Sequence, residues 1–164
     1  MRPARWNLSM TTFLLPAEPV TSLSQYLATD VGGAGVERAH GLDPTATVDE
    51  VVRSGLRGRG GGGFPTGRKW AGIAGQAGDR RYLVCNGAEG EPGTFKDRAL
   101  LRANPYQLVE GLIIAGFAVG AAEAFICLKS SFRREIEGVT RAVEEFQAAG
   151  ICGDCTITIV AGPD

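Results

Sequence analysis

Histidine is all but missing from this chain: His40 is the single example among 164 residues. A lone imidazole with no partnering base reads as a surface residue, not a catalyst. A charge excess is missing too. Seventeen lysines and arginines stand against eighteen aspartates and glutamates, for a formal net charge of −1, so there is no electrostatic footprint for nucleic acid. No long apolar run is present. The most apolar stretch, Leu108 to Ala122, is interrupted by Glu110 and is shorter than the ~20 residues of a membrane span. Phe13-Leu14-Leu15 is too short for the core of a secretory signal, so the expected location is the cytoplasm. Cysteine is sparse. Cys152-Gly153-Asp154-Cys155 offers two ligands where a structural zinc or a cubane cluster takes four. Cys85 and Cys127 fall inside expected strands and read as small buried hydrophobes. The expectation is therefore no bound metal. A metal or redox-thiol protein using Cys152 and Cys155 stands as a competing class.

What is present is a globular composition, 44% hydrophobic and 21% charged, of a length that suits one ordinary domain. The stretch from Ser54 to Arg98 organises it. SGLRGRGGGGFPTGRKW comes first, then a spacer and a strand ending at Val84, then CNGAEGEPGTFKDR. The run Gly58, Arg59, Gly60, Gly61, Gly62, Gly63 leaves nearly every backbone conformation open. Such a run lets main-chain N–H groups turn inward around a phosphate or a flat ring. Arg57, Arg59, Arg68 and Lys69 add positive charge, and Phe64 and Trp70 add flat apolar faces. A glycine cradle with cations and aromatics describes a nucleotide or dinucleotide site; a flexible structural loop is the alternative.

The two best-known glycine patterns do not decide the matter. Gly58, Gly60 and Gly63 fit G-x-G-x-x-G, but the segment before them, Val48 to Val52, is charged and helix-like rather than a hydrophobic strand. The phosphate loop G-x-x-x-x-G-K-[ST] fails because Gly67 is followed by Arg68, Lys69 and Trp70.

Around the motifs the periodicity predicts an alternation of strands and helices. Ser22 caps a short helix over Leu23–Leu27, after a region broken by Pro16 and Pro19. Gly32-Gly33-Ala34-Gly35 is a second glycine cluster and is assigned no ligand. Thr47 with Glu50 three residues on predicts a capping box and a helix that Gly55 stops. Lys69 to Ala77 predicts a short helix, and Arg81 to Asn86 a buried strand ended by Asn-Gly. Pro105 opens a long helix to Gly120, apolar nearly all round and hence buried. Ala124–Lys129 reads as a strand, Ser131–Ala149 as an amphipathic helix, and Cys155–Val160 as a third strand. That order predicts an α/β fold, a Rossmann-like parallel sheet with flanking helices. The acidic motif then begins at the C-terminal end of a strand, where open α/β sheets place their ligands.

Together, SGLRGRGGGGFPTGRKW and NGAEGEPGTFKDR resemble the flavin-binding component of NADH:quinone oxidoreductase, its 51-kDa or F subunit. Its relatives include diaphorase subunits of NAD-linked hydrogenases and formate dehydrogenases. The family pattern runs GLRGRGGAGFPTGLKW, then NADEGEPGTFKDR at the same separation. The resemblance covers residue 30 onward and is strongest from Ser54 to Gly120. It implies an N-terminal extension over 1–30 and an FMN/NAD-binding α/β domain over 31–164. It also implies that the chain is an incomplete N-terminal fragment of a larger multidomain subunit, expected to be inactive alone and to hold FMN weakly or not at all. The family's 4Fe-4S cluster would then lie in the C-terminal part that is absent here. The implied chemistry is hydride transfer from NADH to FMN, then electron transfer to iron–sulfur acceptors. The implied partner is the iron–sulfur subunit of an NADH dehydrogenase-like, hydrogenase or formate dehydrogenase complex.

By the same correspondence, Gly58, Arg59, Gly60, Gly61, Gly62, Gly63 and Lys69 line the flavin and dinucleotide, and Asn86 hydrogen-bonds the flavin. Phe64 offers NADH a stacking face. Glu89 sits at the cleft on the cofactor side, and Glu91 on the dinucleotide side. Thr94, Lys96, Asp97 and Arg98 are expected to cap and brace the next helix. The chain departs from the pattern twice. Ala88 stands where the family has a carboxylate beside the flavin, and Gly72 where respiratory enzymes carry an aromatic for the adenine. The NGAE form is closer to the NADH-oxidising subunit of the Rnf complex. A divergent subunit with another electron donor, or a non-catalytic fragment that keeps the fold, are therefore the alternatives.

Overall fold

A computed structural model describes residues 14–59, 61–78 and 80–163. The three expected strands are present: β1 (Tyr82–Asn86), β2 (Glu123–Lys129) and β3 (Thr156–Gly162), parallel and in the order β1-β2-β3. Cys85 pairs with Ile126, and Ile126 with Ile159. The helices are α1 (Leu23–Leu27), α2 (Ala34–His40), α3 (Pro44–Ser54), α4 (Thr66–Ala74), α5 (Lys96–Ala103), α6 (Pro105–Val119) and α7 (Arg133–Ala148). The chain is an α/β protein, a parallel sheet with flanking helices.

The core follows from two periodicities. Along β2, Ala124, Ile126 and Leu128 point to one face and are fully buried, while their neighbours are half-buried. In α7, Val139, Ala142, Val143 and Phe146 recur at helical spacing and meet that face together with α6. Asn104 caps α6 by accepting from the Gln107 N–H at 3.1 Å, and Pro105 follows at the first helical position. Gly120, at φ 65°, ends it. The opposite face of the sheet is largely bare: Tyr82 and Val84 are 52% and 65% exposed. Parallel sheets are ordinarily covered on both faces.

Residues before 30 belong to the same core. Val20, Leu23 and Tyr26 are buried, and the Tyr26 ring stacks on Tyr106 at 6.0 Å between centroids. The Leu23 N–H donates to Glu145 Oε2 at 2.5 Å. Glu110, which interrupts the apolar pattern of α6, gathers the remaining bonds. It is 4% exposed and accepts from the Tyr26 hydroxyl, the Gly33 N–H at 2.9 Å and the Val36 N–H at 3.1 Å. A buried carboxylate is tolerable only with such partners.

Three expectations are corrected. The helix expected to begin at a Thr47 capping box begins earlier, at Pro44. Asp43 caps it by accepting from the Ala46 N–H at 2.8 Å. Thr47 lies inside that helix, buried, with its hydroxyl donating to the Asp43 carbonyl, and Glu50 pairs with Arg38 instead. Asp43-Pro44 is the stronger start because proline at the first helical position forfeits no hydrogen bond. Lys96, Asp97 and Arg98 do not merely brace a later helix; they are the first turn of their own, α5. And β1, expected to be buried, is an edge strand covered on one face, so its residues alternate between exposed and half-buried.

Candidate functional site

The glycine loop is pinned at its base. The Gly58 N–H donates to the Phe64 carbonyl and the Thr66 N–H to the Leu56 carbonyl, both at 2.9 Å. Arg57 Nη1 donates to the Gly63 carbonyl at 3.0 Å. Within the ring Gly61 and Gly63 have φ of 90° and 56°, which only glycine adopts without strain. A Cβ added at Gly61, Gly62 or Gly63 would meet nothing within 4 Å. Packing among the described residues therefore does not require these glycines. Gly67 is the opposite case. A Cβ there would lie 2.5 Å from Val52 N, so close contact between α3 and α4 demands glycine.

The acidic motif leaves the end of β1. The Gly87 N–H continues the ladder to the Cys127 carbonyl at 2.9 Å, and a Cβ at Gly87 would strike Leu128 Cδ2 at 2.6 Å. The Ala88 N–H donates to Asn86 Oδ1 at 3.1 Å, which turns the chain. Thr94 closes the second turn, its hydroxyl donating to the Glu91 carbonyl at 2.7 Å. The Asp97 N–H then donates to Glu89 Oε1 at 3.3 Å. Glu89 thus caps α5, whose Phe95 N-cap position supplies no side-chain bond.

Between loop and motif lies a cavity of about 780 Å³. Arg59 and Gly61 line it from one side, and Asn86, Glu89 and Glu91 from the other. Ala88, Gly90, Thr94, Lys96, Asp97 and Leu100 complete the wall. The structure thus brings five of the expected residues together. Gly62 and Gly63 share the loop without lining the cavity, and Gly58 is held in the base of the ring. Phe64 is 57% exposed, and Lys69 is exposed on α4, away from the lining. Gly60 lies outside the described residues. Lys96 and Asp97 are lining residues that sequence reasoning assigns elsewhere. The signal is Pro92-Gly93 followed by a charged run opening on Leu100-Leu101, which starts a helix at the cavity wall.

Two neighbouring groups in the cavity wall favour each other's charge. Burial pushes the Glu89 carboxyl up, but the Asp97 and Arg98 N–H groups and the Lys96 ammonium outweigh it and hold the carboxyl below its usual range. Asp97, at 2.9 Å, and then Glu89, hold the Lys96 ammonium above its own.

A second cavity, of about 330 Å³, lies far from the motifs between α6 and the start of β3. His40, exposed and edge-on to Phe117, lines it with Cys152 and Cys155. Burial pushes both thiols up, which makes them poorer nucleophiles and ligands. No group of three or more metal-ligating side chains occurs among the described residues. No helix among them is long and apolar enough to cross a membrane.

Comparison with known proteins agrees with the geometry. Residues 51–164 match the family model of the Nuo51 FMN-binding domain. The chain is 42% identical over 134 residues to the F subunit of NADH-quinone oxidoreductase from Aquifex aeolicus, covering 82% of this chain and 31% of that one. It is 48% identical over 107 residues to the corresponding F subunit of Rhodobacter capsulatus, covering 65% and 25%. The HndC subunit of the NADP-reducing hydrogenase of Solidesulfovibrio fructosivorans is 38% identical over 133 residues, covering 81% and 27%. Among solved structures, an air-oxidized NAD+-reducing [NiFe]-hydrogenase superposes with a TM-score of 0.73 at 38% identity, covering 88% of this chain and 25% of that one. The chain thus spans less than a third of the length of these relatives. With the matched model reaching from α3 through the cavity to β3, the chain belongs to the Nuo51 FMN-binding domain family.

Proposed function

We propose that this chain is the flavin-binding portion of an oxidoreductase subunit through which electrons from NADH enter a larger complex. One observation carries the reading. The glycine loop and the acidic motif, far apart on any extended chain, share a single cavity at the C-terminal end of a parallel sheet. FMN fits the residues present. Gly61, Gly62 and Gly63 have open space where side chains would stand, and Glu89 Oε2 is buried without a hydrogen-bond partner among the described residues. A flavin supplies acceptance of a hydride and its release as single electrons, so the protein need contribute no nucleophile or metal.

The chain's own residues bind and orient. Arg59 and the loop N–H groups suit phosphate. Asn86 offers both a donor and an acceptor to a ring edge. Glu89 and Glu91 repel phosphate and accept from N–H or O–H groups, and Phe64 is free to stack. The partner in this reading is an iron–sulfur subunit, and the location is cytoplasmic, at the membrane only through other subunits. A second reading, a donor other than NADH, is favoured by Ala88 in the cavity wall and Gly72 on α4, where a side chain would meet nothing.

Titration of the whole subunit that carries this chain with FMN, followed by quenching of flavin fluorescence, tests the proposal. A saturable one-to-one complex that protects the loop amides from exchange is expected. No binding at millimolar FMN overturns it. NADH added to the complex separates the two readings, since bleaching of the flavin band requires NADH as donor.

A further inference from the structure

Glu89 is arranged in a way that cofactor binding alone does not require. Its side chain is only 3% exposed. Oε1 accepts from the Asp97 N–H at 3.3 Å and from Lys96 Nζ at 3.5 Å. Oε2, equally buried, has none among the described residues. An ionised carboxylate can take about four donors, and leaving one oxygen bare in a buried place is costly. The asymmetry is set by α5. Its first-turn Asp97 N–H bonds Oε1, and the helix dipole favours a negative charge at that end. Lys96 sits between Glu89 and the Asp97 carboxylate, 3.5 Å from the former and 2.9 Å from the latter, with the rest of its side chain largely exposed.

We propose that Lys96 is a positioning residue of this site: with the first turn of α5 it holds Glu89 by Oε1, and Oε2 is the acceptor reserved for a donor of the bound nucleotide. The proposal rests on the nucleotide-binding reading above and deepens it. The donor is a neutral N–H or O–H group, such as a ring imide or a sugar hydroxyl. A phosphate has only acceptor oxygens and negative charge to offer, so it belongs at the Arg59 side of the cavity. The other charged groups around Glu89 are Arg59 from the glycine loop, Glu91 from its own loop and Asp97 from α5. Lys129 on β2 approaches the same loop: a Cβ at Gly90 would lie 3.7 Å from its Nζ.

The test reads the Glu89 carboxyl directly by carbon NMR of the whole chain labelled at glutamate, with Glu89→Gln giving the assignment. Without ligand, Lys96→Met is expected to move the Glu89 titration upward in pH, and Lys96→Arg to return it. A residue that only stabilised the fold would lower the unfolding midpoint and leave that titration in place. Lys96 is mostly exposed, and Lys96→Gln serves as a second variant with the same expectation. With FMN as the probe, the Glu89 signal is expected to shift on binding. The FMN dissociation constant in Lys96→Met is expected to rise about threefold, the scale of an exposed ion pair.

An unmoved titration in both neutral variants overturns the role of Lys96. A Glu89 signal that ignores bound FMN overturns the acceptor role of Oε2. A wild-type subunit that binds no FMN overturns the functional reading and the acceptor role with it. The hold of Lys96 on Glu89 is still decided by the ligand-free titration.

Discussion

Gly67 and Val52 touch backbone to backbone: a Cβ on Gly67 would fall 2.5 Å from Val52 N and 2.6 Å from its Cα. This contact sets where α4 leaves the glycine ring and hence where the ring stands over the acidic motif. Gly67→Ala is expected to destabilise the chain by about 1–3 kcal/mol, because backbone cannot move aside as a side chain can. Gly72→Ala in the same helix meets nothing and is expected to stabilise by up to about 1 kcal/mol. Urea unfolding of the two variants checks the opposite signs.

Glu110→Gln replaces one carboxylate oxygen by an NH₂ group among three donors: the Tyr26 hydroxyl and the Gly33 and Val36 N–H groups. A donor then faces a donor. A loss of about 2–3 kcal/mol is expected, the scale of a hydrogen bond to a charged group. Fluorescence of Tyr26 and its neighbours during denaturation reads it.

Gly61→Val is expected to abolish FMN binding and to cost about 1–3 kcal/mol of stability while leaving the chain folded. A branched residue at φ 90° is strained, and its side chain would enter the cavity that Gly61 lines. Equilibrium dialysis with FMN decides, with circular dichroism as the check on folding.

Much of this is legible in the sequence, for identifiable reasons. β1 can be placed because Val84-Cys85-Asn86-Gly87 ends an apolar run with a turn dipeptide, and α6 because Pro105 and Gly120 bracket it. What cannot be read are side chains whose partners are distant. Glu110 looks like an interruption of an apolar helix, since its donors lie 74 to 84 positions away. Glu89 looks like a cleft residue alone, since its duty as the cap of α5 depends on a loop folding back through Pro92-Gly93. α5 itself escapes notice because only Leu101 in it is buried, too little for an apolar period to emerge.

Ala88→Asp is expected to lower the reduction potential of bound FMN. Ala88 lines the cavity, and a carboxylate there opposes added electron density. An interaction of about 1.4 kcal/mol corresponds to about 30 mV for a two-electron couple. Spectroelectrochemical titration at matched flavin occupancy measures the shift; an unchanged or higher potential means that residue 88 does not face the ring.

Cys152→Ser with Cys155→Ser is expected to leave metal and flavin content unchanged, as read by elemental analysis and absorbance. Its effect on pH dependence has a definite sign. Burial raises both thiols, so in the native state they ionise later than in the unfolded chain. Their contribution is complete below the ordinary thiol value of about 8.5 and is lost as pH climbs toward the raised one. The wild-type chain should therefore lose more stability between pH 7 and alkaline pH than the double variant does.

The parallel sheet also dictates an order of assembly. A parallel pair cannot form until its crossover has closed, and the crossover from Asn86 to Glu123, through α5 and α6, is longer than the one from Lys129 to Thr156 through α7. β2, α7 and β3 can therefore join as an early unit, with β1 docking afterwards as an edge strand. The acidic motif hangs from the end of β1, so the cavity is the last part of the molecule to be completed and the first to be lost. Native-state hydrogen exchange should find the amides of Val84 and Gly87 opening at lower free energy than those of Ile126 and Ile157. Ligand binding should slow the first pair far more than the second, making the nucleotide itself the final strut of the fold.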